Sequence, residues 1–140
     1  MNFFTVDVLT PYNVVARDIP AENVLVPTSR GQINILKEHT HLVTQLDTGE
    51  LSVFGSEDDP DRFFSISTGI CKILKDKVLI LANTSEEATD IDVDRATRAL
   101  ENAQSKLKDE TLTDEEIMKY RRKVERAQLR LQLATFVRKH

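Results

Sequence analysis

Along the first part of the chain, apolar and polar positions alternate. Phe4, Val6 and Val8 are separated by Thr5 and Asp7, and apolar runs return at residues 24–26, 33–36, 42–46, 51–54, 63–66, 70–74 and 78–82. The breaks are turn-forming: Thr10-Pro11-Tyr12-Asn13, Ser29-Arg30-Gly31, Asp47-Thr48-Gly49, Ser67-Thr68-Gly69 and Lys75-Asp76-Lys77. Short period-two segments with a turn roughly every eight to ten residues predict an antiparallel β-sandwich rather than alternating strands and helices. Residues 55–61 contain no apolar side chain and predict an exposed hairpin loop.

After Asn83 the period changes. Val93, Ala96, Leu100, Ala103 and Leu107 recur at spacings of three and four, one stripe of a helix. Thr113 followed by Glu116 is a capping box that opens a second helix, whose stripe is Ile117, Tyr120, Val124, Ala127, Leu131 and Ala134. The short connection between the stripes predicts an antiparallel hairpin, with the alanines allowing close approach of the axes. The expected fold is therefore β + α: an N-terminal antiparallel β-sandwich, residues 1–85, followed by a C-terminal antiparallel two-helix hairpin, residues 86–140. A hairpin of roughly 55 residues has little core of its own, which makes it marginally stable and a candidate mobile element.

Charge sharpens this division. The whole chain has 19 Lys and Arg against 23 Asp and Glu, a net charge of -4, which excludes a general nucleic-acid binder. Residues 86–116 carry 4 basic and 11 acidic side chains, whereas residues 117–140 carry 8 basic and 1 acidic. Two solvated faces attracting one another across the hairpin would explain this, as would an acidic partner for the second helix. No apolar run reaches the roughly 18 residues that span a bilayer, and the N-terminal residues lack the pattern of a secretory signal. The single cysteine, Cys71, cannot form an internal disulfide, lies in an apolar run, and fits a reducing compartment.

Catalytic patterns are missing: there is no Ser-His-Asp order, no glycine-rich phosphate loop and no zinc-type cysteine pair. His39 and His41, two apart and beside Glu38, share one face of an expected strand edge. No third or fourth ligand accompanies them, so they are read as surface or half-buried histidines, with no metal.

The segment Gly31-Gln32-Ile33-Asn34-Ile35-Leu36-Lys37-Glu38-His39 resembles the glycine-to-histidine signature of the epsilon subunits of F-type ATP synthases. Val8-Leu9-Thr10-Pro11, Asp47-Thr48-Gly49, Ser67-Thr68-Gly69, Val78-Leu79-Ile80-Leu81-Ala82 and Ile91-Asp92 resemble further family segments in the same order, so the resemblance covers essentially the whole chain. There are departures. Asn34 stands where the family has a second glycine and tolerates the left-handed backbone of a turn. Lys37-Glu38 replaces proline-glycine, and Thr40-His41 replaces alanine-proline.

The resemblance implies a non-catalytic rotor subunit that couples proton flow to ATP synthesis. The sandwich would bind the gamma subunit and rest on the c-ring, with Gly31, Gln32, Lys37, Glu38, His39 and His41 in the contact loop. The hairpin would extend toward the alpha and beta subunits and inhibit ATP hydrolysis, with Arg121, Arg122 and Lys123 meeting an acidic loop of beta. Membrane association would be through the complex alone, at the cytoplasmic face of a bacterial plasma membrane. Ile91-Asp92-Val93-Asp94-Arg95-Ala96 and Arg126-Ala127-Gln128-Leu129-Arg130 resemble the motifs of epsilon subunits that bind ATP as a regulatory ligand without turnover. A turn near Thr111 sets Asp92 opposite Arg130 and Arg95 opposite Ala127, gathering Asp92, Arg95, Arg126 and Arg130 on one edge. Asn102 stands where ATP-binding relatives have a further arginine. No cofactor is otherwise required. A reading from another class is a stand-alone β-sandwich adaptor whose basic helix docks an acidic protein.

Overall fold

The computed structural model describes residues 4–36 and 41–139, with side chains through Phe136. The chain forms two compact units, residues 1–87 and residues 88–140.

The first unit is built from ten strands: β1 (Phe4–Leu9), β2 (Val14–Ala21), β3 (Asn23–Thr28), β4 (Gly31–Leu36), β5 (Leu42–Leu46), β6 (Gly49–Phe54), β7 (Arg62–Ile66), β8 (Gly69–Ile73), β9 (Lys77–Ala82) and β10 (Ser85–Glu87). They hydrogen-bond in the order β10-β7-β6-β3-β5-β8-β9-β1-β2, with β4 added to β3. β3 pairs with β6 through Asn23, Val24 and Leu25 but with β5 through Thr28, so the sheet changes layer along this strand. β2 comes back against β6 and β10, and the folded sheet encloses one core. That core is the inward set of each alternation: Val6 and Val8, Val24 and Val26, Leu51 and Val53, Phe64 and Ile66, Cys71 and Ile73, Val78 and Ile80. Each such side chain gains roughly 1.5–3 kcal/mol from leaving water.

Two glycines are required by geometry. Gly31 has φ 103 where β3 turns into β4, in a turn closed by Thr28 Oγ1 donating to the Gly31 carbonyl at 2.6 Å. A Cβ on Gly69 would collide with the Leu81 carbonyl oxygen of the neighbouring strand.

The structure corrects the sequence reading at several points. β1 and β9 pair in parallel, whereas every other pair among the described residues is antiparallel. β2 lacks a clean alternation because Asp18 sits at φ 54 within it and the register slips against β1. β10, Ser-Glu-Glu, has no apolar residue to announce it, and it carries the sheet two residues beyond Ser85. Asn34 makes no left-handed turn: it lies in β4 opposite Leu25 in extended pairing.

The second unit opens with a 3-10 turn, Ala88–Asp90, followed by α1 (Val93–Lys106) and α2 (Asp114–Lys139). Asp92 is the N-cap of α1, accepting from the Arg95 amide at 3.1 Å. The capping box of α2 is formed: Glu116 N donates to Thr113 Oγ1 at 3.2 Å and Thr113 N donates to Glu116 Oε1 at 3.2 Å. α1 and α2 pack on one another, and α2 also packs on the 3-10 turn. Ala96, Ala103, Ala127 and Ala134 are all buried, as close helix approach requires, while the larger stripe residues are half-buried. Leu133, outside the expected stripe, is buried as well.

Candidate functional site

The sheet unit presents an apolar band that no single strand discloses. Register places Gln45, Ile70, Leu81, Leu9 and Val14 in one row across β5, β8, β9, β1 and β2. The adjoining row is Val43, Lys72, Leu79 and Asp7. Both rows lie on the face opposite the core, because Cys71, Ile80 and Val8 pair one residue away and are buried. Val43 is 63% exposed, Ile70 43% and Val14 52%, and Tyr12 in the neighbouring turn is 90% exposed. Leu9, Leu79 and Leu81 are half-buried, so the rows form a partly exposed apolar strip, the kind of outer-face feature that marks a candidate interaction surface. Sequence reading assigned these residues only to strands. The available signal was the uninterrupted apolar run of β9, which indicates burial or contact on both faces.

Beside the band, Lys77 Nζ lies 3.1 Å from Asp7 Oδ2 and 3.0 Å from Asp18 Oδ1. Asp7 Oδ1 accepts from the Asp18 amide at 2.8 Å, which holds Asp18 in its left-handed conformation. The hydrogen bonds to Asp18 and Asp7 raise the Lys77 pKa. Cys71 is a core residue whose thiol burial pushes up to about 12, so it is inert.

Of the expected contact loop, Gly31 and Gln32 open β4 and are exposed, and His41 is exposed just before β5. Lys37, Glu38 and His39 lie outside the described residues. Among the described residues no group of His, Cys, Asp or Glu could hold a metal ion.

On the helical unit, Arg121, Arg122 and Lys123 are exposed in consecutive positions of α2. Lys119 and Lys123 lie 5.6 and 5.5 Å from the Tyr120 ring centroid, so two of the cations of this face flank one aromatic ring. Asp92 and Arg95 are exposed in the first turn of α1, and their juxtaposition is the cap itself: one Asp92 oxygen is already engaged by the Arg95 amide. Arg126 is exposed and Arg130 half-buried on α2, on either side of buried Ala127. Arg95 and Arg126 each stand immediately before a buried alanine, Ala96 and Ala127. Among the described residues no helix is long and apolar enough to cross a membrane.

A two-layered β-unit followed by a helical hairpin is the architecture of a family described as ATP synthase, Delta/Epsilon chain. Residues 3–88 match its beta-sandwich domain and residues 89–135 its long alpha-helix domain. The chain belongs to this family. Within it, similarity is to the epsilon chains: the ATP synthase epsilon chain of Persephonella marina is 35% identical over 132 residues, covering 94% of this chain and 96% of the relative. That of Staphylococcus aureus is 36% identical over 135 residues, covering 96% and 98%. The fold is shared with a chain of the Euglena gracilis mitochondrial ATP synthase, described as OSCP/F1/c-ring in rotational state 1. There the TM-score is 0.76 at 18% identity, with all of this chain and 83% of the other covered. A chain of the Tetrahymena thermophila mitochondrial ATP synthase, described as central stalk/c-ring, gives a TM-score of 0.57 at 13% identity, covering 93% and 95%.

Proposed function

We propose that this chain is a non-catalytic rotor subunit of the central stalk, coupling proton flow to ATP synthesis through its sheet unit and restraining ATP hydrolysis through its hairpin. The sheet unit docks the gamma subunit with the band of Leu9, Val14, Ile70, Leu79 and Leu81, and approaches the c-ring with Gly31, Gln32 and His41. The exposed cations of α2, Arg121, Arg122 and Lys123, meet an acidic surface of the alpha and beta subunits. Asp92, Arg95, Arg126 and Arg130 bind ATP as a regulatory ligand that is not hydrolysed and that favours the folded hairpin. The protein then works as a peripheral subunit at the cytoplasmic face of a bacterial plasma membrane. The observation that carries the reading is the partly exposed apolar row crossing the strands of a unit that matches the family's sandwich domain.

The test is copurification with gamma. Full-length chain carrying Ile70→Glu together with Leu81→Glu should lose gamma while keeping its circular dichroism spectrum, and residues 1–87 alone should retain it. Undiminished copurification of the double variant would refute the assigned face.

A further inference from the structure

β10 ends at Glu87 and the 3-10 turn begins at Ala88, so no residue outside regular structure separates these two elements. Any reorientation of the hairpin must therefore draw chain from one side, and the residues just before the junction are held in an unusual way. Residues 83–87 lie along residues 62–68 almost entirely through polar contacts. Asn83 N donates to the Thr68 carbonyl at 2.9 Å, Thr84 N to Ser67 Oγ at 2.8 Å and Glu86 N to Ser65 Oγ at 3.2 Å. The last fastener is a bidentate ion pair: Arg62 Nε and Nη2 donate to Glu87 Oε2 and Oε1 at 2.8 and 2.7 Å. The Glu87 side chain is only 16% exposed, so water screens this pair weakly. β10 adds no apolar side chain to the core, and the Ser85 hydroxyl is buried without a hydrogen-bond partner, which weakens the strand from within.

We infer that residues 83–87 are a releasable linker, stored as the edge strand β10 and latched by the Arg62–Glu87 ion pair. Release frees a tether of five residues, roughly 17 Å when extended. The inference rests on the proposed mobility of the hairpin, but the latch itself is a property of the isolated chain.

Native-state hydrogen exchange on the full-length protein reads the latch directly. Glu87→Gln should speed exchange of amides in residues 83–87 about tenfold or more, with β8 and β9 unchanged. The charge swap Arg62→Glu with Glu87→Arg should restore protection, and Ser85→Ala should slow exchange below the wild-type rate. Unchanged exchange in Glu87→Gln, or a swap that exchanges as fast as the single variant, would overturn the latch whatever the protein's role. Use of the tether is read separately, in assembled ATP synthase. A disulfide between Ser65→Cys and Glu86→Cys, which are opposed across β7 and β10, should change the degree of inhibition reversibly with reductant. A hydrolysis rate indifferent to that bond, in a complex that the wild-type subunit inhibits, would overturn the tether. Failure of the rotor reading would leave the exchange result standing.

Discussion

Asp7 and Lys77 are 70 positions apart in sequence, yet the lysine ammonium lies 3.1 Å from Asp7 Oδ2. The pair spans the contact between β1 and β9, the one parallel pairing among the described residues and therefore one that no tight turn can connect. Asp7 is buried despite facing away from the core, because Lys77 and Asp18 close over it. Its carboxylate does two things: it answers the ammonium and it accepts from the Asp18 amide. Asp7→Leu abolishes both and should cost about 2 kcal/mol in urea denaturation. Asp7→Asn keeps an acceptor for the amide and should cost distinctly less. Equal losses would assign the stability to the ion pair alone.

Alkali should weaken the sheet unit in two stages. Cys71 has its pKa pushed from 9.0 to about 12 by burial, and Lys77 has its own raised above 10.5 by its two carboxylate partners. Both groups bind a proton more tightly in the folded chain than in the unfolded one. Stability from them is full below about pH 9 and falls as pH rises, at about 1.4 kcal/mol per pH unit while the unfolded thiol alone is ionised. The lysine contribution is lost as pH passes its raised value. Cys71→Ala should remove the fall between pH 9 and 10.5 and leave the later one, as followed by denaturant midpoints across pH.

The α2 cap is separable from packing. Thr113 is exposed, so Thr113→Ala removes no buried surface and only the hydrogen bonds shared with Glu116. About 1 kcal/mol should be lost from the helical unit, and Thr113→Ser should restore most of it. Thermal melts followed at the helical signal distinguish the two variants.

Under the proposed function, replacing Arg121, Arg122 and Lys123 by alanine should raise ATP hydrolysis by the assembled complex. All three are exposed, so the hairpin should melt within a few degrees of wild type. Unchanged hydrolysis, where the wild-type subunit inhibits, would remove these side chains from the inhibitory contact.

The nucleotide proposal is tested by titrating ATP into the isolated chain by calorimetry. Arg126→Ala with Arg130→Ala should abolish the heat of binding. Asp92→Asn retains capping capacity and separates a ligand contact from the cap that Asp92 supplies to α1. No binding at millimolar ATP refutes the site.

Much of this molecule was legible one segment at a time. Period-two alternation marked eight of the strands, and Thr113 with Glu116 marked the start of α2, because strand faces and helix caps are set by neighbours within a few residues. The strands that escaped notice are instructive. β2 is interrupted by Asp18, whose left-handed conformation is held by the distant Asp7 and Lys77, and β10 is polar throughout, so neither carries a local signature. The basic face of α2 was also readable, since a helix displays its exposed positions wherever it packs.

Sequence alone therefore determined the two-part organisation, the inward set of the eight strands it marked and the segregation of charge between the helices, all of which depend on short-range patterns. Tertiary structure decided which outward residues come together. Leu9, Val14, Ile70 and Leu81 belong to four strands, and the Arg62–Glu87 pair joins residues 25 apart. Their juxtaposition follows from pairing register, and register is chosen by the packing of the whole core rather than by any one segment.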